Sequence, residues 1–460
     1  MTDGMQTQTI AAIATPLAPA GLGVIRLSGS DAAVVADRLF RPITAGKSLA
    51  TLAGYTACYG HVFDAEGDID ECVATVFRAP HSYTGENVVE LSCHGGVYLL
   101  QRVLRAAFAV GARPATAGEF TRRAFVNGKM DLTGAESVMS LIAAEGRLSA
   151  RTALAAREGA VFRCLDGVKG ALVQVLSGLA AFVDYPDEDI PELQPEELQE
   201  TLHTARETLS RLLATFDAGQ ILQGGVDTVI VGSPNVGKST LMNLLTGSES
   251  SIVTAEAGTT RDVVERTARA GEVLLRLADT AGIRETDNAV EAIGVERARK
   301  RMQTAALVLA VFDGSRPLSE EDAALAREAA AAHAIAIINK ADQPLLINKE
   351  YIQNLFKHCV IISAAEDSGT EALIAAIAQV TGVEQLQSGE PLLATERQRD
   401  CAVRSLAAVE EALAALNGGM TLDAVTVSLD DAVAAILELT GERVTETVVD
   451  DVFARFCVGK

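Results

Sequence analysis

The chain has 460 residues, of which 48% are hydrophobic and 22% charged, a composition that excludes wholesale disorder and suits roughly two to four packed domains. The formal net charge of −22 argues against a general nucleic-acid-binding surface, although a local basic patch or contact through a partner stays open. Seven scattered cysteines without paired spacing predict reduced thiols rather than disulfides or a zinc site. Because we find neither a basic leader nor a long apolar stretch, we expect a soluble, cytoplasmic protein without a membrane segment.

The first part of the chain, to about residue 120, has the pattern of an α/β unit. Alternating apolar residues predict strands at 21–29, 55–62 and 71–77, and periodic apolar residues predict helices at 31–40 and 99–110. Residues 114–129 are predicted to be mostly loop with the start of a helix.

Two residue pairs in this unit permit more than one interpretation. Cys93-His94 could suggest a metal site or a nucleophile with its base, but neighbouring residues of a strand point to opposite faces, which favours structural roles. Glu86 and Glu90 have a spacing that suits one face of a strand, and they are either paired carboxylates or a solvated face.

A helical pattern begins at about Leu132 and continues through an alanine-rich stretch to about Phe182. The acidic segment 184–189 ends it, and a second helix carries an apolar stripe from Leu198 to Leu212. Helices resume after Pro391, at about 403–416, 422–439 and 445–456. We expect the helices before and after residues 220–382 to pack into one bundle, with the intervening segment as an inserted domain.

The inserted segment opens with a phosphate-binding motif, Gly232-Ser-Pro-Asn-Val-Gly237-Lys238-Ser239-Thr240. It lies between an apolar run that ends at Val231 and an apolar helical pattern, which predicts a strand, a turn and a helix. Backbone N–H groups of such a loop surround phosphate oxygens, Lys238 reaches the terminal phosphates, and Ser239 offers a hydroxyl to Mg²⁺.

Three later motifs, each at the end of an apolar run, indicate which nucleotide is bound. Asp279-Thr280-Ala281-Gly282 has the residues that hold Mg²⁺ through water and contact a γ-phosphate. In Asn339-Lys340-Ala341-Asp342, the last carboxylate supplies two acceptors for the N1–H and N2–H₂ donors of guanine, which adenine lacks. Ser363-Ala364 offers a backbone N–H to guanine O6. Together the four motifs predict a GTP-binding α/β domain.

A family resemblance is carried by residues 23–29, 82–91, 117–125, 184–189 and 257–262, and most specifically by the final Phe456-Cys457-Val458-Gly459-Lys460. Over essentially the whole chain, these stretches resemble the MnmE (TrmE) family of tRNA uridine-5-carboxymethylaminomethyl modification GTPases. The resemblance implies a multidomain α/β plus all-α chain, with a folate-binding and dimerisation domain at 1–125, a discontinuous helical bundle at 126–219 and 383–460, and an inserted Ras-like P-loop GTPase domain at 220–382.

The resemblance also implies a function and partners. The family is a K⁺-dependent GTPase that forms a homodimer and acts with the flavoprotein MnmG (GidA). Together they modify C5 of the wobble uridine, position 34, of certain tRNAs with a one-carbon unit from 5-formyltetrahydrofolate. We expect most anticodon contacts on the partner because this chain is acidic.

The family's functional residues carry over to matching positions of this chain. Folate binding is implied for Arg26, Glu90, Lys129 and Lys460, since cations suit the folate carboxylates and Glu90 can accept from the pterin amine. Cys457 is implied as a catalytic thiol, although its residue type alone favours a small buried hydrophobe. The implied GTP-binding residues are Asn235, Val236, Gly237, Lys238, Ser239, Thr240, Thr254, Ala255, Glu256, Ala257, Gly258, Thr259, Thr260, Asp279, Thr280, Ala281, Gly282, Asn339, Lys340, Ala341, Asp342, Ser363 and Ala364.

The hydrolysis step needs an explanation, because Ile283 stands where Ras-type enzymes place a water-orienting glutamine. The resemblance implies that Glu291 orients the attacking water through a second, bridging water. Without the resemblance, Glu291 would be interpreted as an exposed carboxylate that caps a helix. The resemblance further implies metal ligands: Ser239 and Thr260 for Mg²⁺, and Asn235, Thr254, Glu256 and Thr259 for K⁺. A K⁺ ion there would neutralise charge between the β- and γ-phosphates when two GTPase domains meet.

Two other functions are compatible with parts of the sequence. A ribosome-assembly or RNA-associated regulatory GTPase without modification chemistry explains the nucleotide motifs but neither the first 120 residues nor the last five. A folate-dependent aminomethyltransferase with a regulatory GTPase domain would act on a small amine donor instead of tRNA. Binding of reduced folate distinguishes the modification GTPase from the first alternative, which does not predict it. The identity of the substrate, tRNA or a small amine donor, distinguishes it from the second.

Overall fold

The structure is a computed structural model that describes residues 8–184, 195–247, 265–278, 301–386 and 389–460. The chain forms two units. The first comprises Met1–Met139, Arg157–Leu202 and Ala407–Lys460, and the second comprises Ser140–Ala156 and His203–Leu406. In the described residues, no helix has the length and apolar character that crossing a membrane requires.

A seven-stranded sheet forms the N-terminal part of the first unit, in the order β3-β4-β5-β6-β2-β1-β7. Neighbouring strands are antiparallel except for β1 and β7, which are parallel. The strands are β1 Ile10–Ile13, β2 Ala20–Ser28, β3 Phe40–Pro42, β4 Thr56–Asp64, β5 Gly67–Phe77, β6 Val88–Gly95 and β7 Arg113–Pro114. Two helices, α1 Ala32–Asp37 and α2 Val97–Ala109, pack their apolar residues against it.

The predicted helix at 31–40 is therefore too long. Helix α1 ends at Asp37, and Phe40 begins strand β3, where it pairs with Val62 and is buried. The physical reason is that burial of the Phe40 ring against the sheet outweighs the weak local preference for continuing a short helix.

Six helices follow in chain order: α3 Glu119–Val126, α4 Leu132–Ile142, α5 Arg147–Arg157, α6 Ala160–Asp184, α7 Pro195–Ala214 and α8 Phe216–Gly224. The single helical stretch expected from Leu132 to Phe182 is thus three helices. The break before α6 contains Gly159 at φ +83°, a backbone conformation that glycine adopts without strain and that ends a right-handed helix.

The second unit contains a six-stranded sheet in the order β13-β12-β11-β8-β10-β9, parallel except for β9. Its strands are β8 Val226–Val231, β9 Glu265–Ala270, β10 Val273–Ala278, β11 Leu307–Asp313, β12 Ala334–Asn339 and β13 His358–Ile361. Its helices are α9 Lys238–Gly247, α10 Glu320–Ala329, α11 Lys349–Leu355 and α12 Thr370–Val380. Separate apolar clusters cover its two faces, as expected for a sheet of buried parallel strands.

The chain continues through a short 3₁₀ helix, Val383–Gln385, and then three helices, α13 Glu396–Asn417, α14 Leu422–Thr440 and α15 Glu446–Ala454. Helix α14 packs along α6, and Lys169 Nζ lies 2.8 Å from Glu442 Oε1 beside that contact. Helices from before and after the six-stranded sheet therefore share a bundle, and the P-loop domain is an insertion into it. The predicted limits at residues 125, 219 and 382 stay predictions.

Candidate functional site

The phosphate-binding motif forms the predicted strand, loop and helix. Strand β8 is buried and β-branched, and helix α9 starts at Lys238. Between them Gly237 has φ +97°, and a Cβ there would overlap the side-chain amide of Asn339. Asn235 has φ +61°, which is uncommon for a residue with a side chain and marks a loop held in shape by its surroundings.

Lys238 lies across this loop. Its Nζ donates hydrogen bonds of 2.8 Å to the carbonyl oxygens of Gly232 and Ser233, and burial lowers the pKa of the lysine. The ammonium group therefore lies within the curl of the loop, at the N-terminus of a helix, where anions bind favourably. Ser239 and Thr240, in the first turn of α9, are exposed.

The guanine-side motif is joined to the phosphate loop by Asn339, which ends β12 and is buried. Asn339 Nδ2 donates to the carbonyl of Val236 over 2.9 Å, and its Oδ1 accepts from the N–H of Ala364 over 3.0 Å. One side chain thus connects the loops after β8, β12 and β13, three elements predicted to meet at the carboxyl edge of the sheet.

Asp342 is exposed at the same edge. Ser363 Oγ donates to Asp342 Oδ1 over 2.6 Å, and this hydrogen bond holds the pKa of the carboxyl below its ordinary value. The carboxylate is therefore ionised at neutral pH and presents acceptors to a ligand.

Twelve of the predicted nucleotide-site residues lie outside the described residues. They are Thr254, Ala255, Glu256, Ala257, Gly258, Thr259, Thr260, Asp279, Thr280, Ala281, Gly282 and Glu291.

A second constellation surrounds Arg26 in the N-terminal sheet. Arg26 on β2 is directly opposite Glu90 on β6, and its Nε lies 2.8 Å from Glu90 Oε1. Arg26 Nη1 also donates to the carbonyl of Gly459 over 3.3 Å. The guanidinium lies 5.8 Å and 5.7 Å from the ring centroids of Tyr83 and Phe120.

Lys460 joins this constellation because its carbonyl accepts from the N–H of Phe120 over 3.2 Å. Burial, with Arg26 next in importance, lowers the pKa of its side chain, while Glu90 opposes the change. Lys460 thus lies among the charges of Arg26, Arg157 and Glu90, and cations gathered in one place favour an anionic ligand. Lys129 has a different hydrogen bond, from Nζ to the carbonyl of Pro80 over 3.1 Å, and its side chain is exposed.

Cys457 is exposed, so its interpretation as a small buried hydrophobe is wrong. The N–H of Gly118 donates to the carbonyl of Cys457 over 3.4 Å, which fixes the backbone while the side chain faces solvent.

The neighbours Cys93 and His94 differ in exposure. Cys93 is buried, whereas His94 is exposed and pairs with Asp70. The two neighbours thus lie on opposite faces, as the strand geometry predicted.

The predicted shared face of Glu86 and Glu90 is also wrong. Strand β6 begins at Val88, so Glu86 precedes it. Glu86 accepts hydrogen bonds from the buried Arg123, at 3.1 and 2.9 Å, and from Ser28 Oγ at 2.7 Å. Arg123 is also paired with Glu119 on its own helix, so Glu86 is the second carboxylate of a buried cluster that contacts between distant segments assemble.

Sequence reasoning missed Asp313 and Asp322. Asp313 ends the buried strand β11, the position that the motif residues occupy on neighbouring strands, so its signal was an acidic residue at the end of an apolar run. Asp322 lies in the first turn of α10, where its carboxylate completes a capping box with Ser319. In the described residues, no group of three or more histidines, cysteines or carboxylates is placed to hold a metal ion.

Comparison with known proteins places the chain in a family. Residues 132–457 match the model of the MnmE helical domain, and residues 9–129 match the model of the GTP-binding protein TrmE N-terminus. The tRNA modification GTPase MnmE of Geobacillus kaustophilus is 40% identical over 98% of this chain and 99% of the relative. That of Lysinibacillus sphaericus is 39% identical over 99% of this chain and all of the relative. Among solved structures, Aquifex aeolicus Era is 26% identical over 40% of this chain and 66% of that chain, with a TM-score of 0.26. The chain therefore belongs to the MnmE family of tRNA modification GTPases.

Proposed function

We propose that this protein is a cytoplasmic, K⁺-dependent GTPase that works with the flavoprotein MnmG (GidA) on the wobble uridine of tRNA. Its relatives are named tRNA modification GTPases over their full length, which supports tRNA as the substrate. The observation that carries the GTPase assignment is the bonding of Asn339 to both Val236 and Ala364, which joins the phosphate loop to the guanine side.

At the nucleotide, each described residue has one task. The Lys238 ammonium group, which donates hydrogen bonds to two backbone carbonyls, would donate to phosphate oxygens instead when the nucleotide binds. The first turn of α9 adds backbone N–H donors. Asp342, which is held by Ser363 Oγ, accepts from the guanine N1–H and N2–H₂ groups. The Ala364 N–H, which donates to Asn339 Oδ1, would have to be shared with guanine O6. Glu291, beyond the described residues, orients the attacking water in this proposal.

Two cations fit the described part of this loop. Ser239 is an exposed hydroxyl directly after Lys238, in the place where a P-loop serine holds Mg²⁺. Asn235 is exposed in a left-handed conformation, and its amide oxygen is the hard ligand that K⁺ prefers. When bound, K⁺ supplies positive charge beside the phosphates. Thr260 would complete the Mg²⁺ site, and Thr254, Glu256 and Thr259 the K⁺ site.

The N-terminal constellation is proposed to hold 5-formyltetrahydrofolate. Arg26 and Lys460 would pair with its carboxylates, and Glu90 would accept from the pterin amine. Lys129, exposed and hydrogen-bonded elsewhere, would contact the outer end of the ligand. Cys457, exposed beside Gly459, would act as the thiol of the modification, and a homodimer would bring two GTPase domains together to complete the K⁺ loop.

The test measures GTP hydrolysis by the purified protein in KCl and in NaCl at equal ionic strength, followed by binding of 5-formyltetrahydrofolate. We expect strong stimulation by K⁺, and folate binding that Arg26→Ala removes while GTP hydrolysis remains. Equal slow rates in both salts would remove K⁺ and Asn235 from the mechanism. Absence of folate binding by the unsubstituted protein would instead favour a regulatory GTPase without modification chemistry.

A further inference from the structure

Two buried carboxylates lie behind the nucleotide loops and have no task in the mechanism above. Asp313 Oδ2 lies 2.7 Å from Lys340 Nζ, in the guanine-side motif. Asp322 Oδ1 accepts from Ser233 Oγ, in the phosphate loop, over 2.5 Å. The exposed fractions of the two carboxylate side chains are 8% and 4%, so both are shielded from water.

Arg316 connects the two carboxylates. Its Nη2 lies 3.0 Å from Asp322 Oδ2, and its Nε lies 3.8 Å from Asp313 Oδ2. The chain of contacts thus runs from Ser233 through Asp322, Arg316 and Asp313 to Lys340. It joins the loops after β8 and β12 by a route that does not use Asn339.

Both carboxylates are held in the charged form. Burial opposes their ionisation, but hydrogen bonds from Lys340 and Ser315 lower the pKa of Asp313, and those from Ser233 and Ser319 lower the pKa of Asp322. A buried charge whose partner is removed is strongly unfavourable, so each carboxylate restrains the side chain that it pairs with.

Lys340 needs such a restraint. Its backbone has φ +67°, a conformation that residues with a side chain rarely adopt and that persists only where the surroundings fix it. The ion pair with Asp313 fixes the ammonium group of Lys340. The preceding residue, Asn339, is buried and so restrains the backbone on that side.

We propose that Asp313, Arg316 and Asp322 are positioning residues that hold the phosphate loop and the guanine-side loop in one arrangement and thereby slow the release of bound nucleotide. The inference rests on the GTP site proposed above. The three residues touch binding loops rather than the reacting phosphate, so they act on nucleotide retention and KM and leave kcat nearly unchanged.

The experiment measures dissociation of a fluorescent GDP analogue, and kcat and KM for GTP, in the full-length chain. The variants are Asp313→Asn, Lys340→Met and their combination. We expect each single change to speed dissociation by about tenfold, the size typical of losing one charge-assisted hydrogen bond. The double variant should match Lys340→Met alone, because the carboxylate acts through the lysine. In Asp313→Asn the KM for GTP should rise while kcat stays within about twofold. Lys340→Met changes a nucleotide-binding residue and therefore serves only in the dissociation measurement.

A second cycle combines Asp322→Asn with Ser233→Ala and is expected to be non-additive in the same way. Glu321→Gln is the matched control, because it removes the same charge from the same helical turn at an exposed position, and it should leave dissociation unchanged. If Asp313→Asn fails to fold, Arg316→Gln replaces it, because the Arg316 side chain is partly exposed and its loss disturbs the core less. Faster dissociation of the GDP analogue is again the expected result.

The outcomes separate two failures. A lowered melting temperature with unchanged dissociation, or additive double variants, would show that the carboxylates are merely structural and would overturn the inference. Unchanged dissociation in Lys340→Met would instead contradict the proposed GTP site itself.

Discussion

The hydroxyl of Ser363 donates to Asp342 Oδ1 over 2.6 Å, although the two residues follow different strands of the sheet. The bond fixes the orientation of an exposed carboxylate and lowers its pKa, so that ligand-binding acceptors are preset before a base arrives. Preset acceptors lose little entropy on binding, which favours both affinity and selectivity.

Asp342→Asn tests that preset acceptor. The substitution turns one carboxylate oxygen into a donor that opposes the guanine N–H groups, and we expect GTP affinity to fall about 10- to 100-fold, as typical for charge-assisted bonds. Affinity for xanthosine triphosphate should rise relative to GTP, because xanthine has an acceptor where guanine has its amino group. Equilibrium titration of both nucleotides measures the ratio, and unchanged GTP affinity would remove Asp342 from the base site.

Gly459→Ala tests the proposed folate site through a change of backbone conformation. Gly459 has φ +103°, and a Cβ there would overlap the carbonyl oxygen of Ile13, so the substitution should displace the peptide that accepts from Arg26. We expect affinity for 5-formyltetrahydrofolate to fall at least about tenfold, the cost of losing a hydrogen bond to a charged group.

The matched control is Gly419→Ala. Gly419 also has a positive φ, +67°, but a Cβ there meets nothing within 4 Å, so this variant carries backbone strain without displacement. It should keep folate affinity, and both variants should keep GTP hydrolysis. Equal losses of folate affinity in the two variants would mean that strain alone, and not the contact with Arg26, explains the effect.

The proposed binding of folate should depend on pH through the side chain of Lys460. Burial lowers its pKa from the ordinary 10.5, and binding of an anion would raise it again. Affinity is therefore constant below the pKa of the free protein and falls as pH rises through that pKa, so the decline should start below pH 10.5. Titrations between about pH 7 and pH 10 should show this decline in the native chain, within the range where a perturbed lysine titrates. In Lys460→Gln the profile should be flat, and a decline that persists there would assign it to another group.

The thiols should react in an order set by exposure. Cys457 is the exposed one of the seven free cysteines, whereas Cys72 is buried and its hydrogen bond with Cys93, together with burial, raises its pKa. Ellman's reagent should therefore label one thiol in a fast phase under native conditions. Cys457→Ser should abolish this phase, and the half-buried Cys164→Ser should preserve it. A fast phase that survives in Cys457→Ser would contradict the placement of that side chain.

The placement of the described nucleotide motifs at strand ends was predictable because their signals are local. The motifs at Gly232, Asn339 and Ser363 each follow an apolar run that forms a strand, and parallel strands bring their carboxyl ends together by topology alone. Strand β9 was missed because its residues, Glu265–Ala270, are charged or small and carry no large apolar side chain to mark a strand.

The N-terminal constellation was predictable only through family resemblance. Nothing near Arg26 in the sequence indicates that Gly459 lies beside it, because hydrogen bonds between distant segments leave no periodic pattern. The pairing of Glu86 with Arg123 was missed for the same reason, since the partner of a buried charge is decided by the folded core.

The contact between Arg26 and Gly459 also has a consequence for the time course of synthesis. The two residues are 433 positions apart along the chain. At ribosomal elongation rates, Arg26 therefore emerges roughly 20 to 90 s before its acceptor exists. During that interval the Arg26 guanidinium has Glu90 as a partner but not the carbonyl of Gly459, so this constellation is completed only after residue 459 has been made, long after every strand of its sheet.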